Sequence, residues 1–119
     1  MATEAAAIRM FGSPVTSPFM SFAPKLLPEA AAALPAAAHI DGTARIQTLS
    51  ETDEPWLFEL LLAVERLLGW AVLLNTSLNV KGKPIVNTIA AALDIWDAEE
   101  MIHALVIEEY LFLRAADRK

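Results

Sequence analysis

The sequence has no cysteine in its 119 residues. This excludes disulfide frameworks, Cys-ligated zinc, iron–sulfur clusters and a thiolate nucleophile. Cations are scarce: 9 Lys and Arg stand against 15 Asp and Glu, for a net charge of −6. Nucleic-acid backbones and anionic lipid surfaces select basic patches, so neither is an expected partner. No apolar run approaches the roughly 20 residues that a membrane-spanning helix needs. The longest stretch, Leu67 to Leu74, is bounded by Arg66 and Asn75. The first ten residues place Glu4 before Arg9 and lack the basic start and apolar body of a signal peptide. The expected product is soluble and cytoplasmic. Also absent are a Gly-Lys-Ser/Thr phosphate loop, GxGxxG, GxSxG and HExxH.

What is present is apolar. Hydrophobic residues make up 55% of the chain and charged residues 20%, which excludes intrinsic disorder. The length suits one domain or part of one. Residues 1–16 read as a flexible lead-in, with Gly12, Ser13 and Pro14 as breakers. Residues 17–23 read as a short strand closed by Pro24, and Pro28 to Leu34 as an Ala-rich helix. From Thr43 to Leu49 apolar and polar residues alternate, as in a strand, with Asp41-Gly42 as a turn before it. Ser50 to Gly69 predicts a helix with Thr52 or Asp53 as cap, Pro55 in its first turn and Gly69 as its stop. Its body is apolar nearly all round, so it is expected to be covered on most sides. Ala71 to Leu74 reads as a buried strand and Ile89 to Trp96 as a helix capped by Thr88. Ala104 to Ile107 and Tyr110 to Leu113 read as strands, and Arg114 to Lys119 as a polar, frayed tail. The alternation of strands and helices predicts an α/β fold, with α+β as the other possibility.

Two clusters are candidates for chemistry. Asn75-Thr76-Ser77-Leu78-Asn79 follows an apolar strand, where ligands gather in open α/β sheets, and Lys81 and Lys83 come soon after. Asn and Ser position an oxygen-rich ligand and Lys adds a point charge. The same residue types also make a turn that caps its own backbone. The second cluster is His39-Ile40-Asp41-Gly42-Thr43-Ala44-Arg45. Arg45 shares a strand face with Thr43 and Gln47, either to fork onto a phosphate or carboxylate or simply to meet solvent. His39 and Asp41 have the spacing of a base and its orienting acid. His103 with Glu99 and Glu100 falls short of the three or four convergent ligands that a stable metal site wants.

Taken together, three blocks carry a resemblance. Ser17-Pro18-Phe19-Met20, the stretch from His39 to Thr48, and Leu73-Leu74-Asn75-Thr76-Ser77-Leu78-Asn79-Val80-Lys81-Gly82-Lys83-Pro84-Ile85-Val86 occur in order. They resemble the C-terminal, YrdC-like domain of the carbamoyltransferase family, which includes nodulation and antibiotic O-carbamoyltransferases. The resemblance covers residues 17–113 and implies a twisted sheet with packed helices, in a truncated version. It also implies formation of carbamoyl-adenylate from carbamoyl phosphate and ATP, with Mg2+ accompanying the ATP. A separate Kae1-like domain protein would then transfer the carbamoyl group. Carried over, Arg45 holds a phosphate or carbamoyl oxygen, Asn75 and Ser77 lie against the nucleotide or activated carbamate, and Lys81 adds positive charge. His39 and Thr43 line the pocket. The family's basic blocks precede the aligned segment, whereas here only Arg9 and Lys25 come before Arg45. The resemblance therefore implies a half-site that needs a partner. The alternatives are a non-catalytic binding remnant and a homo-oligomer formed through the helix at 55–69.

Overall fold

The computed structural model describes residues 1–114 and divides the chain into two compact units, one ending at Asn75 and the other beginning at Thr76. Helices and small sheets are mixed along the chain, an α/β fold. Among the described residues no helix is long and apolar enough to cross a membrane.

The first unit opens on strand β1 (Ala2–Thr3) and helix α1 (Glu4–Phe11). Thr3 Oγ1 accepts the Ala6 N–H at 3.2 Å, satisfying one of the helix's unpaired donors. Glu4 in the first turn and Arg9 in the last complement the helix dipole. Ala6, Ala7, Met10 and Phe11 are buried, one face of the helix turned to the core. Residues 1–16 are therefore ordered structure rather than a flexible lead-in. A sequence of alanines before a breaker holds too little pattern to reveal a helix whose stability comes from burying one side.

Helix α2 (Pro28–Ala33) forms where expected, with Pro at its first position. The ribbon from Thr43 to strand β2 (Thr48–Leu49) runs through the middle of a small mixed sheet. On one side Ile46 bridges Phe22 and Thr43 bridges Lys25, both antiparallel. On the other, β2 pairs in parallel with β1, which in turn bridges Val72. The strands expected at 17–23 and 71–74 reduce to these isolated bridges. A tight turn at residues 18–20, with Met20 at φ 55°, breaks the first of them.

Helix α3 (Pro55–Leu68) ends at Gly69 in the left-handed conformation, as its sequence predicts. Its start differs. Glu54 holds the cap position with no side-chain bond, while Asp53 Oδ2 accepts from the Ser50 N–H at 3.0 Å. Asp53 lies too early and turns back on its own loop. The helix is also less covered than its composition predicts: Leu61 is wholly buried, whereas Leu67 is 82% and Leu68 75% exposed.

Arg9 joins α1 to the end of α3. Its Nη1 donates to Glu65 Oε1 at 3.0 Å, both Nη groups reach the Gly69 carbonyl at 3.3 Å, and the guanidinium lies 4.3 Å from the Trp70 ring centre. The exposed ion pair is worth little, so the ring contact and the capped carbonyl dominate. Arg9→Met is expected to destabilise the chain by about 1 kcal/mol, most of it surviving in molar salt. Urea midpoints at low and high salt check this.

The second unit holds helix α4 (Ile89–Ala98) and the antiparallel hairpin of β3 (Ala104–Ile107) and β4 (Tyr110–Leu113). Thr88 Oγ1 accepts the Ala91 N–H at 3.2 Å, the cap its sequence predicts. Ala92, Ile95 and Leu105 are its buried apolar residues. Arg114, read from sequence as part of a frayed tail, is anchored. Its Nε donates to Ile102 O at 3.0 Å and its Nη2 to Glu99 O at 2.9 Å and to Trp96 O. Its guanidinium also stacks 4.7 Å from the Trp96 ring centre. The rest of that tail, 115–119, lies outside the described residues.

Candidate functional site

Alternation along the ribbon builds the site. Ala44, Ile46 and Thr48 are buried, which turns Thr43, Arg45 and Gln47 to the opposite face. A cavity of about 200 Å³ in the first unit is lined by the ribbon from Ala44 to Gln47, while Thr43 lies outside its wall. Arg45, Gln47, His39 and Asn75 give its wall polar groups, while Met10, Met20 and Leu73 contribute apolar surface. Arg45 is exposed and, among the described residues, makes no ion pair. It is the one lining side chain with a permanent positive charge, so the cavity suits an anion of modest size.

Asn75 closes the first unit, three residues beyond the Val72 bridge. Its Nδ2 donates to Gln47 Oε1 at 2.8 Å, with a weak 3.9 Å contact to Met20 Sδ. Arg45 and Asn75, 30 residues apart in sequence, thus stand in one cavity wall. Ser77 and Lys81 belong to the second unit, where both are exposed. There Lys81 and Gly82 form a turn closed by Lys83 N–H donating to Val80 O at 2.9 Å. Gln47 is absent from the residues singled out by sequence, although its spacing of two from Arg45 already put it on the same face.

His39 and Asp41 do not bond directly. The Gly42 N–H donates to His39 O at 2.9 Å and the His39 N–H to Thr43 O at 2.8 Å, closing a turn that Gly42 completes at φ 78°. Thr43 stands between the two side chains. Its hydroxyl donates to Asp41 Oδ1 at 2.7 Å and lies 2.9 Å from His39 Nδ1. A hydroxyl has one hydrogen and a carboxylate only accepts, so His39 Nδ1–H donates to Thr43. The sequence spacing of His39 and Asp41 names the two ends of this relay and misses its middle.

The Thr43 N–H, its hydroxyl and, more weakly, the charge of His39 hold the Asp41 carboxyl below its ordinary range. Because the folded value is depressed, this contribution is fully present above the ordinary aspartate value of about 3.9 and is lost as pH falls through the folded one. Thr43→Val removes the hydroxyl and keeps the N–H. It is expected to return the Asp41 titration partway toward the ordinary value, as followed by carboxyl NMR shifts against pH. An unmoved titration would refute the relay.

Comparison with known proteins identifies the family. The carbamoyltransferase C-terminus family matches residues 1–114, and the chain belongs to that family. An uncharacterized protein of Methanocaldococcus jannaschii is 43% identical over 82 residues, 68% of this chain and 13% of that protein. Nodulation protein U of Rhizobium tropici is 39% identical over 83 residues, 70% of this chain and 14% of that protein. A 3'-hydroxymethylcephem-O-carbamoyltransferase of Amycolatopsis lactamdurans is 40% identical over 57 residues, 48% of this chain and 11% of that enzyme. The matched segments are thus a small fraction of these relatives' length.

Proposed function

We propose that this carbamoyltransferase C-terminal domain contributes half of a site that forms carbamoyl-adenylate and pyrophosphate from carbamoyl phosphate and ATP. The observation that carries the reading is the cavity wall in which Arg45 stands beside Asn75 with no competing ion pair among the described residues. In this reading the Arg45 guanidinium forks onto a phosphate or carbamoyl oxygen. Asn75 and His39 shape the surrounding wall, while Thr43 lies outside it and Ser77 and Lys81 belong to the other unit. Mg2+ enters with ATP as substrate. Among the described residues no three carboxylate or imidazole groups stand together to hold a metal, so the nucleotide's own oxygens would bind it.

One guanidinium does not balance two phosphate-bearing substrates, in a chain of net charge −6. A partner polypeptide, of the Kae1-like kind that the family resemblance implies, would complete the site. The exposed apolar end of α3, at Leu67 and Leu68, is the type of surface that such a partner covers. The same shortage of positive charge favours a second reading, a nucleotide- or metabolite-binding module without turnover.

The deciding experiment is carbamoyl-phosphate-dependent exchange of labelled pyrophosphate into ATP, run with and without the partner. Exchange that appears on adding the partner supports the half-site. Ligand binding without exchange in either condition supports the module.

A further inference from the structure

The Asn75–Gln47 contact has a chemical meaning beyond holding two side chains together. Each is a primary amide, with one carbonyl oxygen and one NH2 group. A hydrogen bond between them uses one oxygen and one hydrogen. As placed, Asn75 Nδ2 donates to Gln47 Oε1 at 2.8 Å, which leaves the Asn75 oxygen as an acceptor and the Gln47 NH2 as a donor. Reversing both amides leaves the Gln47 oxygen and the Asn75 NH2 instead. Either way the pair offers one acceptor and one donor side by side, and both residues line the cavity.

Few small groups match that pattern. A carboxylate presents acceptors alone, a guanidinium donors alone, and a methyl ketone an acceptor with nothing to donate. A primary carboxamide or carbamoyl group presents a carbonyl oxygen and an NH2 on one flat carbon. It bonds to both ends of the pair at once, and each mismatched group bonds to one end only. Arg45, two residues from Gln47 on the same ribbon face, is placed for an anion attached to the carbamoyl carbon.

We infer that Gln47 and Asn75 form an amide pair that selects a carbamoyl group over acyl groups of the same shape, with Gln47 as a specificity-determining residue. The inference rests on the proposed reading of the cavity as a carbamoyl phosphate site, and it assigns discrimination to a residue that the reading itself does not need. The pair adds no charge, so it governs which acyl group is held and leaves the attraction of the phosphate to Arg45.

Two stable phosphonates separate these terms: phosphonoacetamide and acetonylphosphonate, which differ by NH2 in place of CH3. Calorimetric titration of the full 119-residue chain is expected to show phosphonoacetamide binding about fivefold more tightly, the scale of one additional net hydrogen bond. Gln47→Met keeps the length of the side chain and removes its hydrogen-bonding end. It should bring the ratio close to one. Asn75→Leu, at an exposed position, makes the same test from the other side if the first variant fails to fold. Equal binding of both phosphonates by the unaltered chain overturns the amide pair and leaves the anion site standing. A preference that survives in both variants overturns the assignment to these residues. Binding of neither phosphonate overturns the underlying reading and the inference together.

Discussion

Leu61→Ala is expected to destabilise the first unit by about 3 kcal/mol, of which the lost burial of its removed carbons accounts for roughly 2.4. Leu61 is the most buried residue of α3, at 0% exposure, and belongs to the core cluster that also holds Ala2, Ala7, Met10, Phe11, Leu49 and Ala71. The remainder is the cost of the cavity left behind, because a packed core relaxes only partially around a lost side chain. For a unit of this size each kcal/mol lowers the melting temperature by roughly 4–8 °C. Leu67→Ala, in the same helix but 82% exposed, is expected to change stability by less than about 0.5 kcal/mol. Urea denaturation of the two variants beside the unaltered chain checks the contrast. Equal effects would mean that the core does not lie where Leu61 points.

The features legible in the sequence were those fixed by local chemistry. Thr88 and Gly69 mark helix ends because a hydroxyl cap and a left-handed glycine act within one turn. The alternation from Thr43 to Leu49 gave the face on which Arg45 stands, since strand geometry has a strict period of two. What the sequence concealed depends on distant partners. Helix α1 is stable because Met10 and Phe11 meet a core assembled from residues up to Ala71. The bridge at Val72 exists because β1 lies beside it, and a segment read as a lead-in offers no sign of a strand to pair with. The relay through Thr43 and the amide pair at Gln47 were hidden for a related reason. Their residues are ordinary polar types, and only the turn at Gly42 and the close of the first unit at Asn75 bring them together.

Buried and exposed side chains alternate along one ribbon, which makes folding and the proposed chemistry separable by mutation at the exposed positions. Ala44 and Ile46 are 2% and 3% exposed and belong to the core, while Arg45 between them is exposed. Substitution of either core neighbour would confound a loss of folding with a loss of activity. Substitution of Arg45 would not.

Arg45→Ala is accordingly expected to leave the unfolding midpoint within about 0.5 kcal/mol of the unaltered chain and to reduce pyrophosphate exchange by about 10²-fold or more. The exchange is measured with the partner polypeptide present. The size of the loss follows from what the guanidinium supplies: two parallel charged hydrogen bonds to an anionic oxygen pair, from the one lining side chain with a permanent positive charge. Arg45→Lys separates charge from geometry. An ammonium restores the charge but cannot fork, so it should recover part of the activity and remain about tenfold short, the cost of one charge-assisted bond. Full recovery by lysine would reduce Arg45 to a source of electrostatic attraction. Exchange untouched by Arg45→Ala would overturn the role given to the one lining side chain with a permanent positive charge.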